Sequence, residues 1–320
     1  MMAGHAAVHR AKGSHSVVIN RTLLWAAEKD WVKNVVTRGK LGRSVVNRFV
    51  AGDDLESAVQ VIKELNSRKI GGILDLLGEG VTTAEGAEAA AGDYLAAIKR
   101  IEETQIDTTI SVKLTQLGLG FDKGAAIDYL RRLGAEAQVV GTGVEVDMEQ
   151  SEYVSDTLDV FRVLQQDFPE MRLAIQAYLR RTAADLQLMA NIRPRIRLVK
   201  GAYAESEAVA FQKKKELDGQ YAFLTDWLFE QGTDPAIATH DGRLIEHAKT
   251  AAARTGAGKR GFEIQMLYGI RRDLQEELAG EGFRVRVYVP YGEAWYPYLV
   301  RRLAERPSNV RFFLRAVAGR

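Results

Sequence analysis

The sequence of 320 residues contains no cysteine, which excludes disulfide bonds, thiolate metal sites and thiol nucleophiles. Two of its five histidines, His5 and His9, stand four positions apart, but no acidic residue lies within the first 27 positions to complete a zinc site with them. It also lacks an apolar run of the roughly 18 residues that a membrane-spanning helix needs, and its N-terminus lacks the apolar core of a secretory signal. We therefore expect a cytoplasmic protein without a metal, whose catalytic groups are not thiols.

Charge is nearly balanced over the whole chain but not at its N-terminus. The 44 lysines and arginines against 42 acidic residues leave a formal net charge of +2, and we expect no nucleic-acid partner. Residues 1–50 predict a basic helical arm, which either touches the inner face of the plasma membrane or forms a solvated cover over one end of the domain. Its cations are Arg10, Lys12, Arg21, Lys29, Lys33, Arg38, Lys40, Arg43 and Arg48, against Glu28 and Asp30.

Short runs of β-branched and apolar residues recur along the chain, each bounded by turn residues. Eight runs predict strands, over residues 72–77, 109–113, 143–148, 173–177, 196–200, 236–239, 262–265 and 284–289. Between them, apolar residues three and four positions apart predict helices, over residues 83–102, 125–133, 153–166, 244–254 and 270–278. Strands and helices therefore alternate.

This alternation predicts a parallel sheet, and eight such units in one chain favour closure into a (β/α)8 TIM-like barrel. With 46% hydrophobic residues the chain can bury one large core, so we expect a single catalytic barrel over residues 51–320. An open, doubly wound sheet is the structural alternative.

The doubly wound alternative can be checked against its dinucleotide-binding fingerprint. The residues GAGKRG at 256–261 match GxGxxG letter for letter. They follow a helical run and precede a strand, whereas a phosphate-binding loop needs a strand before it and a helix N-terminus after it. We interpret the match as a loop between a helix and a strand.

Polar side chains stand at or just after the ends of all eight predicted strands. Active sites of such barrels lie at the carboxyl ends of the strands, so these residues are expected to converge. Ionic groups gathered there must pair with one another or with a charged ligand, because an unpaired buried charge is costly. The residues are Asp75, Glu79, Lys113, Asp147, Glu149, Gln176, Arg197, Lys200, Thr239, His240, Gln265 and Tyr288.

A last helix is predicted over residues 295–305. Tyr298, Arg301, Arg302 and Glu305 lie three or four positions apart and share a face. A helix that follows the eighth strand can lie over the barrel mouth, where two guanidinium groups suit a carboxylate. The sequence therefore predicts a small anionic ligand.

Five segments in order resemble the signatures of the proline dehydrogenase family: SVKL at 111–114, RLVKGAY at 197–203, ATHD at 238–241, FEIQMLYG at 262–269 and YLVRRLAE at 298–305. The resemblance covers about residues 45–315 and is strongest to the short, monofunctional bacterial form. It implies a distorted (β/α)8 barrel that holds noncovalent FAD, oxidises L-proline to 1-pyrroline-5-carboxylate and passes electrons to a membrane quinone.

The resemblance also implies roles for individual residues. Lys113, Arg301 and Arg302 would bind the proline carboxylate, Tyr288, Tyr298 and Leu267 would enclose the ring, Asp147 would belong to the same pocket, and Glu79 would pair with Arg302. FAD would be held by Gln176, Arg197, Val199, Lys200, Gly201, Ala202, Thr239, His240, Gln265 and Glu305, with Arg197 near the flavin nitrogen that accepts hydride. Residues 205–233 match poorly, so the sequence does not say which cation meets the FAD phosphates.

Two other functions fit parts of the sequence. A Schiff-base aldolase is an alternative because Lys113 and Lys200 end barrel strands, and a desolvated lysine there can attack a carbonyl group. A surface-binding protein that works through the basic residues 1–50 is the alternative without catalysis. The oligomeric state is left open.

Overall fold

Eight parallel strands close into a barrel whose order around the ring follows the sequence. The computed structural model describes residues 46–78 and 80–304. The ring closes between the first and last strands, with Gly71 opposite Arg286 and Leu76 opposite Tyr291. The strands are β1 (Gly71–Leu76), β2 (Thr108–Val112), β3 (Val144–Val146), β4 (Arg172–Gln176), β5 (Arg195–Val199), β6 (Ala236–Ala238), β7 (Glu263–Leu267) and β8 (Arg284–Tyr291).

Helices precede, connect and follow these strands. They are α1 (Leu55–Ser67), α2 (Ala84–Thr104), α3 (Lys123–Val140), α4 (Val154–Leu164), α5 (Thr182–Leu188), α6 (Lys214–Gln231), α7 (Gly242–Thr255), α8 (Arg272–Gly280) and α9 (Trp295–Ala304), with short 3₁₀ turns at Ser151–Tyr153 and Ala190–Ile192. Side-chain caps begin several of them: Asp54, Thr83 and Asp122 each accept a hydrogen bond from the backbone N–H three residues on.

The two faces of the strands differ in chemistry. Ile196 and Leu198 of β5 are fully buried and belong to the apolar core, as do Val285 and Val287 of β8. Charged residues occupy the alternate positions, and Arg197 of β5 bonds Glu145 of β3 although the two strands are not neighbours. Such bonds cross the barrel, so the barrel interior is lined with charge.

The last helix lies across the carboxyl end of the barrel. Tyr298 and Leu299 are buried in a cluster with Leu77, which directly follows β1. Near the other end of α9, the Arg301 guanidinium stands 5.7 Å from the centre of the Tyr203 ring. Tyr203 follows β5, on the far side of the ring from β1. The helix therefore spans the mouth, as the sequence predicts.

Residues 46–50 form the other half of that cluster. Val46, Phe49 and Val50 pack with α9, and a carbon atom added at Gly269 would lie 1.7 Å from the Arg48 carbonyl oxygen. Gly269 also has φ near +75°, so only glycine suits this close approach. Residues 1–45 lie outside the described residues, and the predicted arm over residues 1–50 with its boundary to the barrel stays a prediction.

All eight predicted strands are confirmed, with their ends displaced by at most a few residues. The predicted helices between them are also confirmed, and residues 256–261 form the loop between α7 and β7. The structure adds α1, α5 and α6, which were not predicted. No helix within residues 46–78 and 80–304 has both the length and the apolar character that crossing a membrane requires.

Candidate active site at the carboxyl end of the barrel

Lys113 is the centre of a buried ionic cluster just past the end of β2. Its Nζ donates to Asp75 Oδ1 at 2.6 Å and to Asp147 Oδ2 at 3.2 Å, and it lies 3.5 Å from the Tyr288 hydroxyl. Tyr288 donates to the same Asp147 oxygen at 2.6 Å. Four strand-end residues from β1, β2, β3 and β8 thus meet, as barrel closure requires.

Arg197 of β5 extends this cluster across the barrel. Its Nη1 donates to Asp147 Oδ1 at 2.5 Å, while Nε and Nη2 donate to Glu145 Oε2 at 3.0 and 2.6 Å. Both Nη atoms also lie 3.3 Å from the Ser111 hydroxyl oxygen. The guanidinium stands 5.3 Å from the centre of the Tyr288 ring, within range of a cation–π contact.

Burial and pairing set the protonation of these groups. Burial opposes ionisation of Asp147, but the charges of Lys113 and Arg197 hold the pKa of its carboxyl below the usual value. Asp75 differs, because burial outweighs the attraction of Lys113 and raises the pKa of its carboxyl. The pKa values of the two carboxyl groups beside Lys113 are therefore shifted in opposite directions.

The same charges argue against Lys113 as a Schiff-base nucleophile. Burial favours a neutral amine, but Asp75, Tyr288 and Asp147 together hold the pKa of Lys113 well above its usual value. A nucleophilic lysine needs a lowered pKa, so that its amine is neutral near pH 7. Lys113 is instead a fixed cation in this site.

The arginines of α9 lie at the same end of the barrel. Arg302 is buried, with 9% of its surface exposed, and its guanidinium stands 5.2 Å from the Tyr298 ring centre. Arg301 is half-buried near Tyr203. Neither residue is fully exposed, which agrees with a role at the mouth. Leu267, at the end of β7, is also half-buried.

A second ionic cluster lies where β5 and β6 end. Lys200 Nζ bonds Asp218 at 3.0 Å and Asp241 at 3.4 Å, and Lys214 bonds the same two carboxylates. Arg243 also reaches both, at 3.3 and 3.4 Å. Three cations thus surround two carboxylates, which leaves a surplus positive charge, and the pKa of Asp241 falls to about 2 although burial opposes this.

The other predicted cofactor residues lie along the strand ends between these clusters. Gln176 of β4 donates to the Glu149 carbonyl at 2.8 Å, and its own side-chain oxygen is buried without a hydrogen-bond partner. Thr239 accepts from the Asp241 backbone N–H at 3.1 Å. His240 Nε2 accepts from the Leu267 backbone N–H at 2.9 Å.

Gly201 follows Val199 and Lys200 and precedes Ala202 in a turn that admits only glycine. Its φ is +121°, and a carbon atom added there would lie 2.2 Å from the Tyr178 ring. Gly201 and Ala202 are half-buried, so their backbone remains accessible beside the strand ends. Such a turn allows a ligand to approach the main chain closely.

The comparisons with known proteins agree with this geometry. The family model for proline dehydrogenase matches residues 58–315. The chain is similar to proline dehydrogenase 1 of Bacillus subtilis (strain 168), with 42% identity over 270 residues that cover 84% of this chain and 89% of the relative. It is also similar to proline dehydrogenase of Deinococcus radiodurans, with 38% identity over 302 residues that cover 93% and 97% of the two chains.

The chain belongs to the proline dehydrogenase family. Among solved structures it resembles proline utilization A from Bdellovibrio bacteriovorus inactivated by N-propargylglycine, with a TM-score of 0.77 and 26% identity. That match covers 86% of this chain and 34% of the other, so the chain spans about a third of that protein's length. The family resemblance and the (β/α)8 fold inferred from the sequence are both confirmed.

Two predicted residues of the proline dehydrogenase site, Glu79 and Glu305, lie outside the described residues. A third, Gln265, is turned into the barrel, where its Nε2 donates to Glu145 at 3.1 Å and to Glu263 at 2.7 Å. Its role as a cofactor contact stays a prediction, as do the roles of the other site residues.

Two carboxylates of this site were not among the predicted binding residues. Asp75 was noted as a strand-end residue but given no role, and Glu145 was not noted. The signal for Glu145 is the alternation in VEVD at residues 144–147, which places residues 145 and 147 on one face of β3. The same alternation in RIR at 195–197 and RVRVY at 284–288 indicates a polar barrel interior.

A separate cleft of about 280 Å³ opens at the opposite, N-terminal end of the barrel. It lies between the segments that lead into β3 and β4 and includes Gly141, Phe168 and Arg195. Active sites of this fold lie at the carboxyl end, so this cleft is not the proline dehydrogenase site.

Proposed function

We propose that this chain oxidises L-proline to 1-pyrroline-5-carboxylate with noncovalent FAD as the hydride acceptor. Membership of the proline dehydrogenase family supports the substrate and the reaction. The observation that carries the proposal is the position of α9, which brings Arg301 and Arg302 across the barrel end that also contains Lys113, Asp147 and Arg197.

The carboxylate of proline is the group that these cations recognise. Arg301 and Arg302 would bind it from α9 and Lys113 from β2, since guanidinium and ammonium groups form strong charge-assisted hydrogen bonds with carboxylates. Tyr288, Tyr298 and Leu267 would enclose the ring, and Glu79 would pair with Arg302. Asp75 and Asp147 hold Lys113 in place before the substrate binds.

Three features of the described residues fit a bound FAD. The surplus charge of Lys200, Lys214 and Arg243 over Asp218 and Asp241 suits a phosphate group, which we assign to Lys200 and Lys214. The turn at Gly201 admits a ligand close to the backbone of Val199 to Ala202. The unpartnered side-chain oxygen of Gln176 can accept a hydrogen bond. Thr239, His240 and Gln265 would contribute further contacts to FAD. Glu305 would do so as well, although it lies outside the described residues.

When bound, FAD would supply the redox chemistry by accepting a hydride from the ring carbon next to nitrogen, while that nitrogen loses a proton and a C=N bond forms. The chain's own residues supply orientation. Fixing the carboxylate at one end of the ring fixes the position of the distant carbon, which removes much of the entropic cost of alignment. No protein nucleophile is needed.

We propose further that a membrane quinone receives the electrons, which rests on the family resemblance. The basic residues 1–50 would provide peripheral contact with an anionic membrane surface. Most of them lie outside the described residues, so this part of the proposal rests on their charge alone.

An absorbance spectrum tests the proposal. The protein, purified or supplied with FAD, should show the yellow flavin bands, and anaerobic L-proline should bleach them. Protein that stays colourless after FAD is supplied would contradict the cofactor, and a yellow protein that proline does not bleach would contradict the substrate. Borohydride trapping of a substrate on Lys113 or Lys200 would instead support the aldolase alternative.

A further inference from the structure

Glu145 is a fully buried carboxylate beneath the candidate active site. It lies two residues before Asp147 on the same face of β3, and thus about 6.6 Å further from the mouth. Only 1% of its surface is exposed. Its Oε1 accepts from the Thr109 hydroxyl at 2.8 Å, and its Oε2 accepts both the Nε and the Nη2 of Arg197.

Arg197 has no hydrogen-bond donor left for another partner. Its Nε and one N–H of Nη2 point to Glu145, one N–H of Nη1 points to Asp147, and the remaining N–H groups of both Nη atoms face Ser111. A guanidinium group has five N–H bonds in all. Arg197 can therefore influence a ligand in the barrel mouth through its charge, without giving up a bond.

The charge that Arg197 presents depends on the carboxylates around it. Glu145 and Asp147 both lie within hydrogen-bond distance and offset its positive charge. Glu145 is in turn partly offset from below, because Arg172 Nη1 stands 3.6 Å from its Oε1. Glu145 is thus the link between the arginines at the N-terminal end of the barrel and the cation at the site.

We propose that Glu145 is a positioning residue that holds Arg197 and, by offsetting its charge, sets the reduction potential of the bound cofactor. This inference rests on the proposed function, in which FAD lies beside Arg197. Reduction adds two electrons to the cofactor, so a nearby positive charge favours the reduced state and a carboxylate that offsets this charge disfavours it.

Glu145→Gln removes the charge and keeps the size of the side chain. The fold has a reason to tolerate this change, because Arg197 retains Asp147 and Arg172 retains Glu263 and Asp234. The midpoint potential of the bound flavin should become more positive by about 30 mV. For a two-electron couple this corresponds to a roughly tenfold change in the equilibrium constant for reduction. The potential is measured by anaerobic titration against a reference dye.

Two control variants separate charge from packing. Thr109→Val removes a hydrogen bond to Glu145 but no charge, and its potential should stay close to that of the wild type. Glu145→Asp keeps the negative charge, so the midpoint potential of its flavin should stay closer to the wild-type value than that of Glu145→Gln. If Glu145 had only a structural role, these variants would change the stability of the protein but would not show this order of midpoint potentials.

Arg172→Gln provides a second test if Glu145→Gln does not fold. It removes the cation below Glu145, while Asp234 and Glu263 each keep Arg284. Its potential should shift in the opposite, negative direction. An unchanged potential in Glu145→Gln, or in Arg172→Gln where Glu145→Gln does not fold, would overturn the inference. A wild-type protein that binds no FAD would overturn the proposed function itself, whereas a yellow wild type bleached by proline with an unchanged Glu145→Gln potential would overturn the inference alone.

Discussion

Several buried side chains in this site are held by ion pairs. These ion pairs determine how far a substitution would lower the free energy of unfolding. Lys113 and Arg197 are almost fully buried, and each contacts two carboxylates. A single buried charge without a partner is far less stable than the pair, so removing one member should have a larger effect than a surface change. The sequence indicates which residues end the strands, but only the structure shows which of them pair.

Arg302→Met should weaken the binding of proline by about 2 to 5 kcal/mol, since it removes one charged partner of the substrate carboxylate. Arg301→Met should act in the same direction. The apparent affinity is measured from the proline concentration that half-reduces the flavin. Arg272→Met is a suitable control, because Arg272 is exposed on α8. An unchanged affinity in either α9 variant would refute that residue's role.

Lys113→Met should lower the free energy of unfolding by about 3 to 5 kcal/mol, because it leaves Asp75 and Asp147 buried beside each other without their shared cation. The double variant with Asp75→Asn should cost less than the sum of the two single changes. Urea unfolding of all four proteins measures this. Additive costs would mean that the contact between Lys113 and Asp75 contributes nothing to stability.

Most strands and helices with a simple apolar pattern were predicted, and two of the three helices that were missed lack such a pattern. The strands are evident because short apolar runs end in turns. Helix α6 was missed because Phe223 is 55% exposed and Gly219 interrupts its sequence, so its apolar residues do not form one clean face. Helix α5 has only seven residues, too few for a periodic signal. Helix α1 does carry that signal, in Val59, Ile62 and Leu65.

The packing of α9 on the apolar cluster that includes Phe49 and Leu77 can be tested by substitution. Phe49→Ala removes a buried ring that packs on α9, so amide hydrogen exchange in α9 should become faster while exchange in β1 and β8 stays slow. Exchange is followed by mass spectrometry of peptides. Phe161→Ala removes a ring that α4 itself contributes to the main core, and this variant should instead destabilise the barrel as a whole. Equal protection of α9 in wild type and Phe49→Ala would contradict the docking role.

The molecule as a whole depends on charge inside the barrel at both ends. At the N-terminal end, Asp234 accepts from Arg172 at 2.7 Å and from Arg284 at 2.5 Å and also pairs with Arg195. Burial opposes its ionisation, but these arginines hold the pKa of the carboxyl below its usual value. The barrel architecture could be predicted from the order of strands, whereas this network could not, because its partners come from distant parts of the chain.

Asp234→Asn should lower the free energy of unfolding by about 1.5 to 3 kcal/mol at neutral pH. A carboxyl with a lowered pKa contributes stability that is fully present above its ordinary value of 3.8 and is lost as the pH falls through its folded value. The difference between wild type and variant should therefore shrink as the pH falls from 5 to 3 in urea unfolding experiments. The exposed Asp128→Asn is the control, and a difference independent of pH would contradict the assignment.

Deleting residues 1–40 should leave proline-dependent dye reduction intact, since the ionic clusters of the site lie in residues 75–302 and the apolar cluster that packs on α9 begins at Val46. Binding to vesicles with anionic lipids should fall if the basic residues tether the protein. A complete loss of dye reduction in a folded variant would instead show that the arm belongs to the catalytic site.

In the proposed function, α9 holds the substrate carboxylate over the buried ionic cluster of the barrel. A crystal structure of the FAD-loaded protein with a five-membered cyclic ether carboxylate tests it most directly, because without a ring nitrogen this ligand cannot form the C=N bond. The carboxylate should lie within hydrogen-bond distance of Arg301, Arg302 and Lys113. A carboxylate bound elsewhere, with both arginines turned to solvent, would contradict it.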